Sequence, residues 1–186
     1  MVHAAEREYA ADENILNSTR ATDFITPKSE VSKLFRDAVL GLSRDFAFAR
    51  RVVNSGRLSV PATLDGSTLN TPDRDAFSGP MRPGAPVADA PLQRQGQPRW
   101  LLRELGAGFT LLVFGPAPAW AASLDLTVLA IDGQTLCDPQ GLATQRFDAR
   151  PGTAYLLRPD GHVAARWRAP TAAAVQAAMD HALCKA

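Results

Sequence analysis

The sequence predicts an α/β protein, and three observations support this fold class. Apolar residues recur at helical spacing near the N-terminus, whereas near-continuous apolar runs typical of buried parallel strands appear after residue 100. A turn at Pro159-Asp160-Gly161 separates two more apolar-rich runs and is the strongest hairpin signal in the chain. We expect a helical region at 1–57, a connector at 58–99 and a second domain at 100–186.

The helical region is predicted to contain two main helices. The first covers Ala4 to about Thr22, and the second starts with Thr26 as N-cap and Pro27 at the first helical position. A kink or break is expected near Gly41, and Asn54-Ser55-Gly56 should end the helix. The apolar positions of the second helix are Val31, Leu34, Phe35, Ala38, Val39 and Leu42.

The connector is dense in proline and glycine. Prolines fall at 61, 72, 80, 83, 86, 91 and 98, and glycines at 66, 79, 84 and 96. Because proline lacks a backbone donor, this density argues against regular helix and central strand. We expect an extended strap that is ordered by lying on another surface.

The C-terminal domain shows the element order β-α-β-α-β-β-α, which is that of the thioredoxin fold. Its predicted elements are a short apolar segment Leu101–Leu105, a strand Phe109–Phe114, a loop with a short helix at Pro116–Leu124, a strand Leu126–Ile131, a short helix Gly141–Phe147, a hairpin Tyr155–Trp167 and a helix Thr171–Leu183. The predicted fold is therefore N-terminal helices, a Pro-rich extended strap and a C-terminal thioredoxin-like domain without CxxC.

The redox position of a thioredoxin carries no sulfur in this chain. A redox thioredoxin begins the helix after its first central strand with Cys-x-x-Cys, because the helix N-terminus lowers a thiol pKa. Here that segment is Gly115–Ser123, which contains no cysteine. Cys137 follows the second strand, and Cys184 lies at a helix C-terminus, where the dipole disfavours a thiolate. Both are expected to be unpaired thiols, and a thioredoxin-like redox protein is the disfavoured alternative.

A dinucleotide-binding fingerprint is only partly matched. Gly106 and Gly108 resemble its first two glycines, but Leu111 stands where the third should be. These glycines also precede the strand, so no helix N-terminus would receive the phosphates. A tight turn into the strand is the preferred interpretation.

No other residue set predicts a catalytic, cofactor-binding or metal site. The histidines are too scattered to suggest a metal centre, and no serine lies in a nucleophile elbow. Adjacent carboxylates near the N-terminus are expected on a solvated helix face. These residues are His3, His162 and His181; Ser18, Ser29, Ser55 and Ser78; and Asp12 and Glu13.

Two polar clusters leave alternatives open. Arg20 and Asp23 either form an ion pair at a helix end or bond to a neighbouring domain absent from this chain. We interpret the side chains around the hairpin as exposed residues on the sheet surface, with a binding site as the alternative. They are Arg158, Arg166, Arg168 and Trp167.

Composition excludes several partner classes. The chain has 186 residues and a net charge of +1, without a basic block, so neither nucleic acid nor an anionic membrane is expected as partner. No apolar run approaches the ~18 residues of a membrane span. The first eight residues lack a signal-peptide pattern, and a cytoplasmic location is expected.

Several stretches resemble the C-terminal region of class A FAD-dependent aromatic hydroxylases, the phenol-hydroxylase-like and hydroxyphenylpropionate-hydroxylase-like monooxygenases. They are Glu6-Arg7, Ala10–Ser29, Phe35–Leu40, Asn54–Ser59, Pro83–Pro86, Phe109–Gly115 and the hairpin segment Arg158–Asp160. The match covers essentially the whole chain.

The resemblance implies a thioredoxin-like C-terminal domain that has lost its redox cysteines and serves structural support or dimerisation. The parent reaction would be FAD- and NAD(P)H-dependent hydroxylation of an aromatic ring. The family's GxGxxG and later Gly-Asp motifs do not appear, so no catalytic or FAD-binding residue is carried over. We expect no cofactor on this chain alone and a partner that is a second copy or a separately encoded flavin domain, which this chain would complete.

Overall fold

A computed structural model describes residues 2–53 and 61–185, and these divide into two units with a boundary between Ala62 and Thr63. The first unit contains three helices, α1 Val2–Ile25, α2 Glu30–Leu42 and α3 Ala47–Val53. The break predicted near Gly41 is confirmed, because α2 ends and α3 begins just beyond it. The end signal predicted at 54–56 lies outside the described residues. Although α1 runs for 24 residues, no helix in the described ranges is long and apolar enough to cross a membrane.

The predicted start of the second helix is wrong. Ser29, not Thr26, is the N-cap of α2, and its hydroxyl accepts the Ser32 backbone N–H at 3.1 Å. The Thr26 hydroxyl instead donates to the Thr22 carbonyl at 2.7 Å and closes the end of α1. Pro27 then lies in the linker between the helices, where its missing N–H leaves no helical hydrogen bond unmade.

The second unit contains two β-sheets and their covering helices. Its elements are β1 Pro91–Arg94, β2 Gln97–Trp100, α4 Leu101–Glu104, β3 Thr110–Phe114, a 3-10 helix Ala119–Ser123, β4 Thr127–Ile131, β5 Leu136–Cys137, α5 Leu142–Arg146, β6 Ala154–Leu157, β7 Val163–Trp167 and α6 Ala172–Ala182. The α/β fold class is therefore confirmed.

The main sheet has the order β4-β3-β6-β7. Strands β3 and β4 are parallel, with Leu112 opposite Leu129, whereas β3–β6 and β6–β7 are antiparallel. The predicted hairpin is confirmed as β6 and β7. Gly161 takes a left-handed φ of 79° in its turn, a conformation that glycine adopts without strain.

Both faces of the main sheet are covered, as the apolar runs predict. Alternate side chains of each strand point to opposite faces, so neighbours in sequence enter different cores. The core beneath the strap receives Leu112, Phe114, Tyr155 and Leu157. The core beneath α6 receives Leu111, Val113, Ala154 and Leu156.

The expectation that the connector contains no central strand is wrong. Strand β1 lies in the middle of a three-stranded sheet of order β2-β1-β5. Pro91 is tolerated because it is the first residue of β1, and Pro98 because it lies in the edge strand β2. The β1–β2 turn places both Gln95 and Gly96 at positive φ, 51° and 75°.

The strap, residues 63–90, follows the free edge of β7. Main-chain hydrogen bonds run from Thr71 N to the Ala164 carbonyl at 2.9 Å and from Gly84 N to the Val163 carbonyl at 2.8 Å. Gly84 has a φ of 87°, and a Cβ there would lie 2.4 Å from the Leu64 carbonyl oxygen. The strap thus covers the sheet edge through main-chain hydrogen bonds, and within the strap Gly84 packs against Leu64 at a distance that only glycine permits.

Candidate functional site

The loop after β3 is where a thioredoxin carries its redox cysteines. In this chain the loop makes structural contacts. Gly115 donates its N–H to the Ile131 carbonyl at 2.9 Å and binds this loop to the end of β4. The segment continues into the short 3-10 helix and contains no sulfur. The two cysteines are free thiols in different elements: Cys137 is half-buried in β5, and Cys184 is exposed after α6.

The glycines at 106 and 108 do not fit a flavin or nicotinamide phosphate. They lie between α4 and β3, and a Cβ on Gly106 would come within 2.9 Å of the Thr127 Oγ1. Gly106 therefore permits close packing against β4, and the five-residue 3-10 helix after β3 supplies no long helix N-terminus for a diphosphate. Within residues 2–53 and 61–185, no three metal-binding side chains form a group.

Arg166 is buried, which corrects its interpretation as exposed decoration. Its side chain is only 5% exposed and forms a two-pronged ion pair with Asp73 of the strap, with the shortest N–O distance at 2.6 Å. Its third nitrogen donates to the Met81 carbonyl at 2.9 Å. Burial opposes the charged form of Arg166, but the Asp73 carboxylate outweighs it and raises the arginine pKa.

Arg168 makes a second set of bonds to the strap and to the loop after α5. Its guanidinium binds the Asp148 carboxylate at 2.5 Å and the Ala76 carbonyl at 2.9 Å, and its backbone N–H donates to Asp75 at 2.8 Å. The Ser78 backbone N–H also donates to Asp148, at 2.8 Å. The Ser78 N–H and then Arg168 lower the pKa of Asp148 to about 2.

An aromatic group joins these ion pairs to the core. The Phe77 ring lies beneath both guanidinium groups, with its centroid 4.4 Å from the Arg166 Cζ and 3.8 Å from the Arg168 Cζ. Phe77 meets Tyr155 edge-on, at 6.0 Å between centroids, and the buried Tyr155 hydroxyl donates to the Phe147 carbonyl. Burial raises the pKa of Tyr155, so this hydroxyl stays protonated.

Arg158 and His162 form a smaller cluster at the hairpin turn. Arg158 is 5% exposed and binds Asp160 at 2.6 Å, and the His162 side chain lies 3.3 Å from the same carboxylate. Burial opposes ionisation of Asp160, but the His162 hydrogen bond and the Arg158 charge lower its pKa to about 2. The expectation of an exposed Arg158 is therefore wrong.

We call Arg166, Arg168, Phe77, Asp73 and Asp148 the strap clamp. Opposite charges and main-chain carbonyls satisfy both of its guanidinium groups, so the clamp can fix the strap but offers no unpaired base or nucleophile. One sequence signal points to it. Arg166 lies in β7 and Arg168 directly follows that strand, two positions on, and the strap carries Asp73 and Asp75 at the same spacing.

The ion pair expected between Arg20 and Asp23 is not formed. Asp23 instead pairs with Lys28 at 3.4 Å, and both side chains are well exposed. Arg20 borders a concavity of the first unit together with Phe24 and Arg51.

Helix α2 presents an apolar face that the first unit does not bury. Val31 is 79% exposed, Leu34 72% and Phe35 58%, and these residues share one side of the helix. Most of the exposed large apolar side chains among the described residues lie in α1–α3. A contiguous apolar patch on a folded protein marks an interaction site, so this α2 face is the candidate docking surface.

Comparison with known proteins identifies the second unit. A family model described as "Aromatic-ring hydroxylase, C-terminal" matches residues 81–186, more than half of the chain. No curated protein matches.

Two solved flavin enzymes, RebC and PieE, share the fold, and a third structure is similar in sequence over part of the chain. The rebeccamycin biosynthetic enzyme RebC with reduced flavin is 21% identical, covers 97% of this chain and 35% of its own, and gives a TM-score of 0.59. The flavin-dependent monooxygenase PieE, in complex with FAD and substrate, is 24% identical over 88% of this chain and 32% of its own, with a TM-score of 0.55. Aklavinone-11 hydroxylase with FAD and aklavinone is 27% identical over 60% of this chain and 24% of its own, at a TM-score of 0.48. The chain thus spans between a quarter and about a third of these structures.

Proposed function

This chain belongs to the flavin-dependent aromatic-ring hydroxylases through their C-terminal domain, and from that membership we propose that it is a non-catalytic support module of such an enzyme. One observation carries the proposal. In the family-matched region, the buried charged residues Arg158 and Arg166 are both engaged in ion pairs with carboxylates, so their role there is structural.

The proposed parent reaction uses FAD and NAD(P)H to hydroxylate an aromatic ring. Gly106 and Gly108 do not fit a dinucleotide, so we assign flavin and nicotinamide binding to a different domain. The longer chains of RebC and PieE are consistent with this division, since most of their length has no counterpart here. The role of the present chain is to offer that domain a folded C-terminal unit and a docking surface.

We assign docking to the apolar face of α2, and the partner to a flavin-binding domain. Covering Val31, Leu34 and Phe35 removes apolar surface from water at about 25 cal/mol per Å². The partner surface must then be apolar at its centre, with little charge. A chain that docks in this way would complete an active hydroxylase with a separately encoded flavin domain.

Co-purification tests this assignment. The full chain, tagged and expressed in its native source, should retain a polypeptide with the absorbance spectrum of a flavin. Leu34→Asp places a charge on the docking surface and should abolish retention. Lys33→Asp changes an exposed residue on the opposite side of α2 and should not. Equal retention by both variants, or eluates without flavin, would contradict the assignment.

A symmetric dimer through the same surface is a second candidate, favoured by the exposure of Phe35, Phe46 and Phe48 on the first unit. A self-complementary apolar face can be buried by a second copy. Light scattering of the purified chain should then give twice the monomer mass, and Leu34→Asp should return it to the monomer. A monomer at high concentration would exclude this candidate.

A further inference from the structure

A groove of about 360 Å³ lies in the second unit, between the strap and α6. This volume falls within the range of small-molecule sites, which is ~300–1,000 Å³. Trp167 and Pro72 contribute apolar surface to its lining. Ala174 and Ala177 occupy one side of α6, where their short side chains leave the space open.

Arg74 supplies a positive charge to this groove. It is exposed and has no ion-pair partner among residues 2–53 and 61–185, whereas its neighbours Asp73 and Asp75 are engaged by Arg166 and Arg168. His181, in the last turn of α6, also lines the groove. No carboxylate lines the groove among the described residues, so its charge complements an anion.

A hydroxyl in the lining lacks a partner. Thr71 anchors the strap to β7 through its backbone, but its Oγ1 is buried without a hydrogen-bond partner in the described structure. Buried hydroxyls in folded proteins nearly always have one. A side-chain rotation would let this hydroxyl donate to an acceptor seated in the groove.

We propose that this groove binds a flat aromatic carboxylate. The ring stacks on the Trp167 indole and rests on the alanines of α6, because an aromatic face and small side chains together favour a planar apolar group. The carboxylate pairs with Arg74, whose planar guanidinium matches a carboxylate with two parallel hydrogen bonds. The groove belongs to the second unit and the α2 docking surface to the first, and the proposal does not depend on the proposed function.

Nuclear magnetic resonance of the ¹⁵N-labelled full chain tests the site with 2-naphthoate as probe. The Trp167 indole N–H signal, assigned with Trp167→Phe, should shift saturably together with the backbone signals of Ala174 and Ala177. The neutral isostere 2-naphthamide should bind at least about tenfold more weakly, because it lacks the charge that Arg74 recognises. Arg74→Gln should remove this preference.

Two matched variants locate the binding. Ala177→Leu fills the groove from an exposed position of α6 and should abolish the Trp167 shift. Ala173→Leu adds the same volume at an exposed position outside the groove and should leave binding unchanged. Absence of saturable shifts up to about 10 mM, equal binding of the amide, or binding unaffected by Ala177→Leu would each overturn the proposal.

Discussion

Arg166 shows that the exposure of a side chain cannot be predicted from the type of amino acid alone. An arginine next to a tryptophan on a short strand is typical of a solvated sheet face, yet this guanidinium is 5% exposed. Its charge is tolerated because Asp73 is held opposite it with bidentate geometry and the Met81 carbonyl takes the remaining donor. The partner comes from 93 positions away, a distance over which sequence pattern carries no contact information.

The Asp73–Arg166 pair should be a strong single contribution to stability. Asp73→Asn leaves Arg166 buried without its counter-charge, and we expect a loss of about 2–3 kcal/mol in the free energy of unfolding. Asp65→Asn is the matched control, because Asp65 and Arg82 pair at the same 2.6 Å but are both about half exposed. It should cost less than about 1 kcal/mol. Urea titration compares the two, and equal losses would contradict a buried clamp.

Gly84 should tolerate no side chain. Gly84→Ala combines a φ of 87° with a Cβ placed 2.4 Å from the Leu64 carbonyl oxygen, so the strap must shift, at a cost of about 3 kcal/mol. Gly79 has nearly the same φ, 89°, but open space around its Cβ. Gly79→Ala should therefore cost only about 1 kcal/mol, which thermal unfolding can resolve. Similar losses at the two sites would show that backbone strain, and not the close approach, governs Gly84.

At the scale of elements, the strap combines a proline-rich sequence with a sheet-like role. The prolines of the predicted connector at 58–99 argued correctly against helix in its described part, but they did not exclude β1, which follows the strap, because Pro91 starts that strand and Pro98 lies at an edge. The apolar run of β3 predicted its burial on both faces, and the Pro-Asp-Gly turn predicted β6–β7. The same expectation is met on only one face of β4, where Leu129 and Ile131 are buried, because β4 is the edge strand of the sheet. The start of α2 was misplaced because the Thr26 hydroxyl donates to the Thr22 carbonyl of α1 instead.

The turn between β1 and β2 offers a stabilising change. Gln95 and Gly96 both have positive φ, which is the pattern of a type I′ turn and favours Asn-Gly. Gln95→Asn should raise the free energy of unfolding by a few tenths of a kcal/mol, about 0.5 at most. Differential scanning calorimetry would detect it as a small rise in Tm. A fall in Tm would contradict the left-handed geometry at this residue.

Lowering the pH should weaken the contacts that Asp148 makes to the strap and to Arg168. The pKa of Asp148 is lowered to about 2 in the folded chain, so its contribution to stability is present above its ordinary pKa of 3.8 and is lost as the pH falls toward 2. Asp148→Asn should destabilise the chain at neutral pH and flatten this acid-side decline. Thermal unfolding from about pH 5 to pH 2 provides the measurement. A decline as steep in the variant as in the wild type would rule out Asp148 as a contributor.

At the scale of the whole molecule, the two units differ in how their apolar surface is used. The second unit encloses two cores around one sheet, whereas α2 of the first unit leaves its apolar face exposed. The sequence predicted the helical rhythm of that face but not whether it would be covered, because periodicity reports a shared side and not its neighbour. The family resemblance drawn from local stretches is confirmed by the match to residues 81–186.

The proposed role is that this chain supports a flavin enzyme without binding the flavin itself. Titration of the purified full chain with FAD, followed by flavin absorbance and fluorescence, tests it most directly. We expect the flavin spectrum to stay that of the unbound cofactor and no stoichiometric complex to survive gel filtration. A yellow complex with one FAD per chain would contradict it.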